Sequence, residues 1–173
     1  RQLALQARAH SIGLTIDAEE ADRLEPSLSV LEALALDPEL ADWNGLGLAV
    51  QAYQKRAPAV IDWLADLAHR SQRQLMVRLV KGAYWDTEVK HAQELGLSDY
   101  PVYTRKVSTD VSYLVCAQKL LADPTAFYPQ FATHNAHSVA AVMAFAGENH
   151  DFEFQCLHGM GEVLYEQVVA QHG

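Results

Sequence analysis

Met76-Val-Arg-Leu-Val-Lys-Gly-Ala-Tyr-Trp85 (MVRLVKGAYW) threads a guanidinium through an apolar run and closes it with Lys81-Gly82. A short run rich in valine and leucine that ends at a glycine reads as a strand. Period-two alternation puts Met76, Arg78 and Val80 on one face and Val77, Leu79 and Lys81 on the other. Arg78 therefore shares its face with apolar neighbours, and a buried guanidinium without a partner costs several kcal/mol. Two kinds of partner fit: a carboxylate from an adjacent strand, Asp17 or Glu19, or a ligand atom that is electron-rich or becomes so. Lys81-Gly82-Ala83 adds a stretch of backbone nearly free of side chains, which a flat group can approach closely.

Working outward, the same unit recurs. Residues 12–17 (IGLTID) form a short apolar run ending in an acid, and residues 18–36 carry Leu24, Leu28, Leu31 and Leu34 at helical spacing. Residues 45–51 (GLGLAVQ) read as a second strand, with a helix over 59–70. The third strand, 76–81, is followed by a helix over 87–95, a loop over 96–101 and a second helix over 108–122. Residues 131–134 (FATH), led in by Tyr128, form a fourth strand before a helix over 136–145. Residues 152–157 (FEFQCL) form a fifth before a helix over 162–170. Trp63 and Phe145 are expected in the core. Strands alternating with helices predict a parallel α/β sheet, doubly wound or closed as a barrel. Polar residues stand at the carboxyl end of every strand: Asp17, Gln51, Lys81-Gly82, His134-Asn135 and His158. A doubly wound sheet gathers its chemistry at one switch point, whereas a (β/α)8 barrel raises it around one mouth. The distribution predicts a TIM-like barrel. A complete barrel takes roughly 250 residues, so residues 1–173 are expected to be its central arc, about five βα units, with the flanking strands and last helix absent. The start at Arg1 points the same way.

Composition narrows the partners. With 50% hydrophobic residues, 20% charged and a formal net charge of −9, the chain is an ordinary globular sequence, and no basic run favours nucleic acid or an anionic membrane. Cys116 and Cys156 appear without a signal peptide or long apolar span, which suggests a reducing, cytoplasmic setting and no structural disulfide.

Six motifs, IDAEEADRLE (16–25), VQAYQKR (50–56), VRLVKGAYWD (77–86), YPVYTRKV (100–107), FATHNAH (131–137) and FQCLHGMGE (154–162), closely resemble the proline dehydrogenase domain of the proline utilization A family. The resemblance covers nearly the whole chain in the same order. It implies a distorted (β/α)8 barrel that binds FAD without a covalent link and oxidises L-proline to Δ1-pyrroline-5-carboxylate. The resemblance also implies that electrons pass to quinone and that the full-length protein is a cytoplasmic enzyme able to make peripheral contact with the inner face of the membrane. It further implies that Arg78 lies beside the flavin N5 edge and that Gln51 meets the pyrimidine edge of the ring. Val80, Gly82, Ala83, Tyr84 and Trp85 would lie along the flavin, with Tyr84 also walling the proline pocket. Thr104, Arg105 and Lys106 would reach the adenosine and pyrophosphate half, where cations beside a hydroxyl suit phosphate oxygens. Arg105 also reads as part of a solvated helix start. Thr133, His134, Asn135, Gln155, Cys156 and Leu157 are the implied cofactor contacts of the fourth and fifth strands, with Leu157 touching the substrate ring. Asp17 resembles the family acid near the substrate, and it equally suits an N-cap of the following helix.

The family's lysine on the first barrel strand, and its arginine pair and tyrosine on the last helix, have no match within residues 1–173. The chain alone is therefore expected to oxidise proline weakly or not at all, and its open sheet to be poorly stable or to self-associate. Two other readings stand beside this one. His134 with His137, Cys156 with His158, and Asp17 with Glu19 are metal-ligand types at strand ends, as in a metal-dependent hydrolase on a TIM barrel, although His134 and His137 are expected to diverge. The chain also reads as a non-catalytic fragment, and whether proline or hydroxyproline is preferred is left open.

Overall fold

The computed structural model describes residues 1–172. Among the described residues a leading helix is followed by strands alternating with helices, two helices standing between the third and fourth strands: α1 (Gln2–Ala9), β1 (Leu14–Ile16), α2 (Leu24–Ala35), β2 (Leu46–Gln51), α3 (Ala57–Ser71), β3 (Leu75–Val80), α4 (Trp85–Glu94), α5 (Lys106–Ala122), β4 (Phe127–Ala132), α6 (Ala136–Ala146), β5 (Glu153–Gln155) and α7 (Glu162–His172). All four strand pairs are parallel, and spatial order equals chain order, β1-β2-β3-β4-β5. A doubly wound sheet must reverse its order at a switch point. This one never does, so it is an arc of a barrel.

Alternation sorts the strands into two faces. Leu46, Leu48 and Val50 of β2, Leu75, Val77 and Leu79 of β3, and Phe127 and Phe131 of β4 turn outward and pack with Leu31, Ile61, Leu64, Leu67, Tyr113, Cys116 and Leu120 from the helices. The other set, which includes Met76, Arg78 and Val80, faces the concave side. Register aligns Ala49, Arg78, Gln130 and Glu153 in one row across that side, and Asp17 follows directly after the last residue of β1, Ile16, which pairs with Leu48.

Several boundaries differ from expectation. Helix α1 has no counterpart in the predicted pattern; its one buried residue is Ala4, too weak a signal to stand out. The first helix starts at Leu24 after a 3-10 turn over Ala21–Arg23. Glu88 accepts the Ala21 N–H at 2.5 Å and Arg56 donates to the Ala21 carbonyl at 3.0 Å, so tertiary partners hold this backbone outside a helix. Strand β4 begins earlier than predicted and contains Pro129, a residue that argues against a strand. The Leu75 N–H donates to the Ala126 carbonyl and the Thr133 N–H to that of Gln155, so odd-numbered residues of β4 turn their polar groups to β5. Pairing with β5 begins only at Gln130, so the missing N–H of Pro129 breaks no ladder bond. Strand β5 is shorter than the expected 152–157. Trp63 packs against the core, but Phe145 is exposed because Val139 and Val142 take the buried positions of α6.

Candidate active site

The carboxyl ends of the five strands open into a cavity of about 800 Å³ on the concave side. Its walls include Asp17, Gln51, Arg78, Val80, Gly82, Ala83, Tyr84, Lys106, Thr133, His134, Asn135, Gln155, Cys156 and Leu157, all singled out in the sequence. Trp85 and Thr104 line a second cavity of about 450 Å³ with Tyr53. The two meet at Lys81, Gly82 and Lys106, which border both. Arg105 lines neither; it is exposed at the start of α5, where its carbonyl accepts the Ser108 N–H.

Arg78 Nη2 lies 2.8 Å from Asp17 Oδ1. The pair spans β2, where Ala49 leaves room above the sheet for the two side chains to meet. The carboxylate partner foreseen for Arg78 is thus present, and it is Asp17 and not Glu19. Asp17 does not cap α2, which begins well beyond it; its other contact is the N–H of Ala18 at 2.9 Å. Gln51, 5% exposed, donates from Nε2 to the Glu19 carbonyl at 2.7 Å.

Lys81, on the outer face of β3, reaches Asp110 Oδ1 at 2.6 Å, and Lys106 reaches Oδ2 at 2.8 Å. Burial alone would raise the Asp110 pKa, but the hydrogen bonds from Lys106 and Lys81 outweigh it and hold the carboxyl below its ordinary value. One carboxylate between two cations leaves a net positive junction between the cavities. Gly82 sits beside it with φ +132°, and a Cβ there would come within 2.5 Å of the Tyr53 ring, so no side chain fits. Trp85 Nε1 is anchored to the Tyr103 carbonyl at 2.9 Å.

The far wall is tied together by β4, β5 and α7. His134 Nε2 accepts the Leu157 N–H at 3.0 Å, which leaves the ring proton on Nδ1. Tyr165 of α7 donates to the Thr133 carbonyl at 2.5 Å, and burial, helped by the neighbouring Cys156, pushes its phenol up to about 12. Asn135 caps α6 through the Ser138 N–H at 3.0 Å. His137 lies on α6 and, unlike His134, does not line the cavity. Among the described residues no three His, Cys, Asp or Glu side chains come together in a metal-binding group, and no helix is long and apolar enough to cross a membrane.

Sequence reading missed Glu153, Asp110 and Tyr165. Glu153 and Asp110 had no motif to announce them, because each needs a partner distant in sequence, Gln130 and Tyr128 for Glu153 and Lys81 for Asp110, beside the one on its own element. Lys81 was assigned to the outer face, from which its long stem still reaches the cavity edge.

A flavin suits these walls on two observations: a side-chain-free ledge at Gly82, and fixed cations, Arg78, Lys81 and Lys106, along two joined cavities.

The family profile for proline dehydrogenase matches residues 1–173. The bifunctional protein PutA of Klebsiella aerogenes is 66% identical over 174 residues, which is 99% of this chain and 13% of that protein. Hydroxyproline dehydrogenase of Bos taurus is 33% identical over 144 residues, 77% of this chain and 30% of that one. A crystal structure of proline utilization A from Bradyrhizobium japonicum superposes with a TM-score of 0.96 at 60% identity, covering 99% of this chain and 18% of the other. The chain thus spans about 13% of the length of PutA relatives such as that of Klebsiella.

Proposed function

The chain belongs to the proline dehydrogenase family, and from that premise we propose that it forms the FAD-binding arc of an enzyme that oxidises L-proline to Δ1-pyrroline-5-carboxylate. The observation that carries this reading is the meeting of Arg78 and Asp17 at the mouth of a cavity whose other walls are the residues the family motifs point to. When bound, FAD supplies the two-electron acceptor that takes hydride from the substrate ring, and quinone receives the electrons afterwards at the inner face of the membrane.

The chain's own residues do the rest. Arg78 sets a fixed positive charge where negative charge builds up during reduction, and Asp17 orients it. Gln51, with one amide N–H engaged by the Glu19 carbonyl, has its second N–H free to donate to the ring's polar edge. Gly82, with Val80, Ala83 and Tyr84 beside it, gives the ring a floor, and Trp85 closes the neighbouring cavity. Lys106, with Thr104 and Arg105 nearby, meets phosphate oxygens, and Asp110 holds the lysine in place. Thr133, His134, Asn135, Gln155 and Cys156 complete the far wall, where Leu157 with Tyr84 brackets the substrate ring. Because the Arg78–Asp17 pair is only partly shielded, both groups remain open to a ligand.

Anaerobic titration with L-proline tests this in a protein extended to the relatives' length. The visible flavin absorbance is expected to bleach. A flavin that binds yet stays oxidised would sink the reading, and colourless protein carrying stoichiometric zinc would favour a metal-dependent hydrolase instead. The 173-residue chain by itself is expected to take up FAD and to be reduced weakly or not at all.

A further inference from the structure

Beneath the cavity, on the concave face of β5, lies a carboxylate that none of the motifs includes. Glu153 has no Lys, Arg or His within ion-pair reach among the described residues; its contacts are neutral donors. Gln130 Nε2 donates to its Oε1 at 2.9 Å, Gln155 Nε2 to the same oxygen at 2.7 Å, and the Tyr128 hydroxyl to Oε2 at 3.3 Å.

An ionised carboxylate only accepts hydrogen bonds, so it dictates which way both amides face. Gln130 shows how firmly: it is 4% exposed, its nitrogen faces Glu153, and its oxygen is left buried without a partner. Nothing around that oxygen favours the orientation, so the orientation comes from the carboxylate. Gln155 is bound to the same Glu153 oxygen, but its side chain borders the cavity. With its nitrogen committed below, the carbonyl oxygen is the end left for a ligand.

We propose that Glu153 is a positioning residue: by holding the amide nitrogen of Gln155, it turns the Gln155 oxygen toward the cavity as an acceptor for a ligand N–H. This rests on the flavin reading, in which the ligand is a heteroaromatic ring bearing an imide N–H. Glu153 acts only through Gln155 and touches no reacting atom. Glutamine at position 153 can offer either an acceptor or a donor to its neighbours, so Glu153→Gln frees the Gln155 amide to turn over.

The experiment measures FAD affinity by flavin fluorescence quenching, and the visible spectrum of the bound flavin, in wild type, Glu153→Gln, Gln155→Ala and the double variant. Glu153→Gln and Gln155→Ala are each expected to weaken FAD about tenfold and to shift the absorbance maximum in the same direction. The double variant should be no weaker than either single one, because both remove the same contact. Tyr128→Phe, which strips a partner only from the other carboxylate oxygen, should bind FAD as wild type does and serves as a folded control. Losses that multiply in the double variant, or a Glu153→Gln protein that binds with wild-type affinity and spectrum, would overturn the proposal and leave the flavin reading intact. A wild-type protein that takes up no FAD would overturn both.

Discussion

Arg78 illustrates how much a single position can be asked to do. It is charged on an otherwise apolar face, it is paired with Asp17, and it is only partly covered, its side chain 27% exposed. Replacing it with lysine keeps a charge but loses the planar fork. Arg78→Lys in the full-length, FAD-loaded protein is expected to lower kcat/KM for proline about 100-fold, on the order expected for a lost transition-state charge contact. Steady-state kinetics check this, and a change in KM alone would show that Arg78 only binds. Asp110 carries a pH consequence. Its folded pKa lies below the ordinary 3.8, so its contribution is fully present above that value and is lost as pH falls through the folded one. Asp110→Asn should therefore flatten the acid limb of stability below about pH 4, read by urea unfolding across pH 3 to 7. Tyr165 has the opposite sign: its phenol, raised to about 12, contributes below its ordinary 10 and loses that contribution as pH rises through the folded value.

At the scale of the elements, residue periodicity explains most of what was readable in advance. Val77, Leu79 and Arg78 fell on the faces expected, because both faces of β3 meet a defined environment. The pattern failed where local and tertiary preferences disagree. Residues 18–23 carry helix-forming Glu and Ala, but Glu88 and Arg56 capture the backbone of Ala21 first. Pro129 concealed the start of β4 because its tolerance depends on where β5 begins, which no local window contains. For the site, the strand-end residues were legible since a barrel brings all such ends together. Glu153 was not, because its role comes from Gln130, Gln155 and Tyr128 converging on one point. Arg73 belongs to the same class. It is 6% exposed, between α3 and β3, and donates to the carbonyls of Leu40, Trp43 and Asp37 in the connection leading to β2. Its burial lowers its pKa, while Asp37 and Asp42 pull the other way. Arg73→Ala would leave buried carbonyls bare and is expected to cost about 2–4 kcal/mol, measured by chemical denaturation. A loss within about 0.5 kcal/mol, the range of an ordinary surface change, would show that water replaces it.

Over the whole molecule, a net charge of −9 surrounds a cavity edged by Arg78, Lys81 and Lys106. In the proposed reading these cations would meet an anionic cofactor locally, against an unfavourable general field. Added salt screens both, so FAD affinity should change only modestly between 50 mM and 500 mM salt; a loss above about tenfold would mean that long-range attraction dominates. Among the described residues, the strands at the two ends of the arc, β1 and β5, each have a neighbour on one side only. Free edges template pairing with other chains, and sedimentation velocity on the 173-residue chain should show self-association that grows with concentration.

The strand order has a further consequence, for how such an arc comes into being during synthesis. Each strand pairs with the one made just before it, the longest step being from β3 to β4, across two helices. No pairing waits for a distant part of the chain, and each closure therefore meets a similar, modest entropic cost. A ribosome releasing this sequence from its amino end would offer every new strand a template already in place, so the sheet grows like a row of bricks laid in the order of delivery.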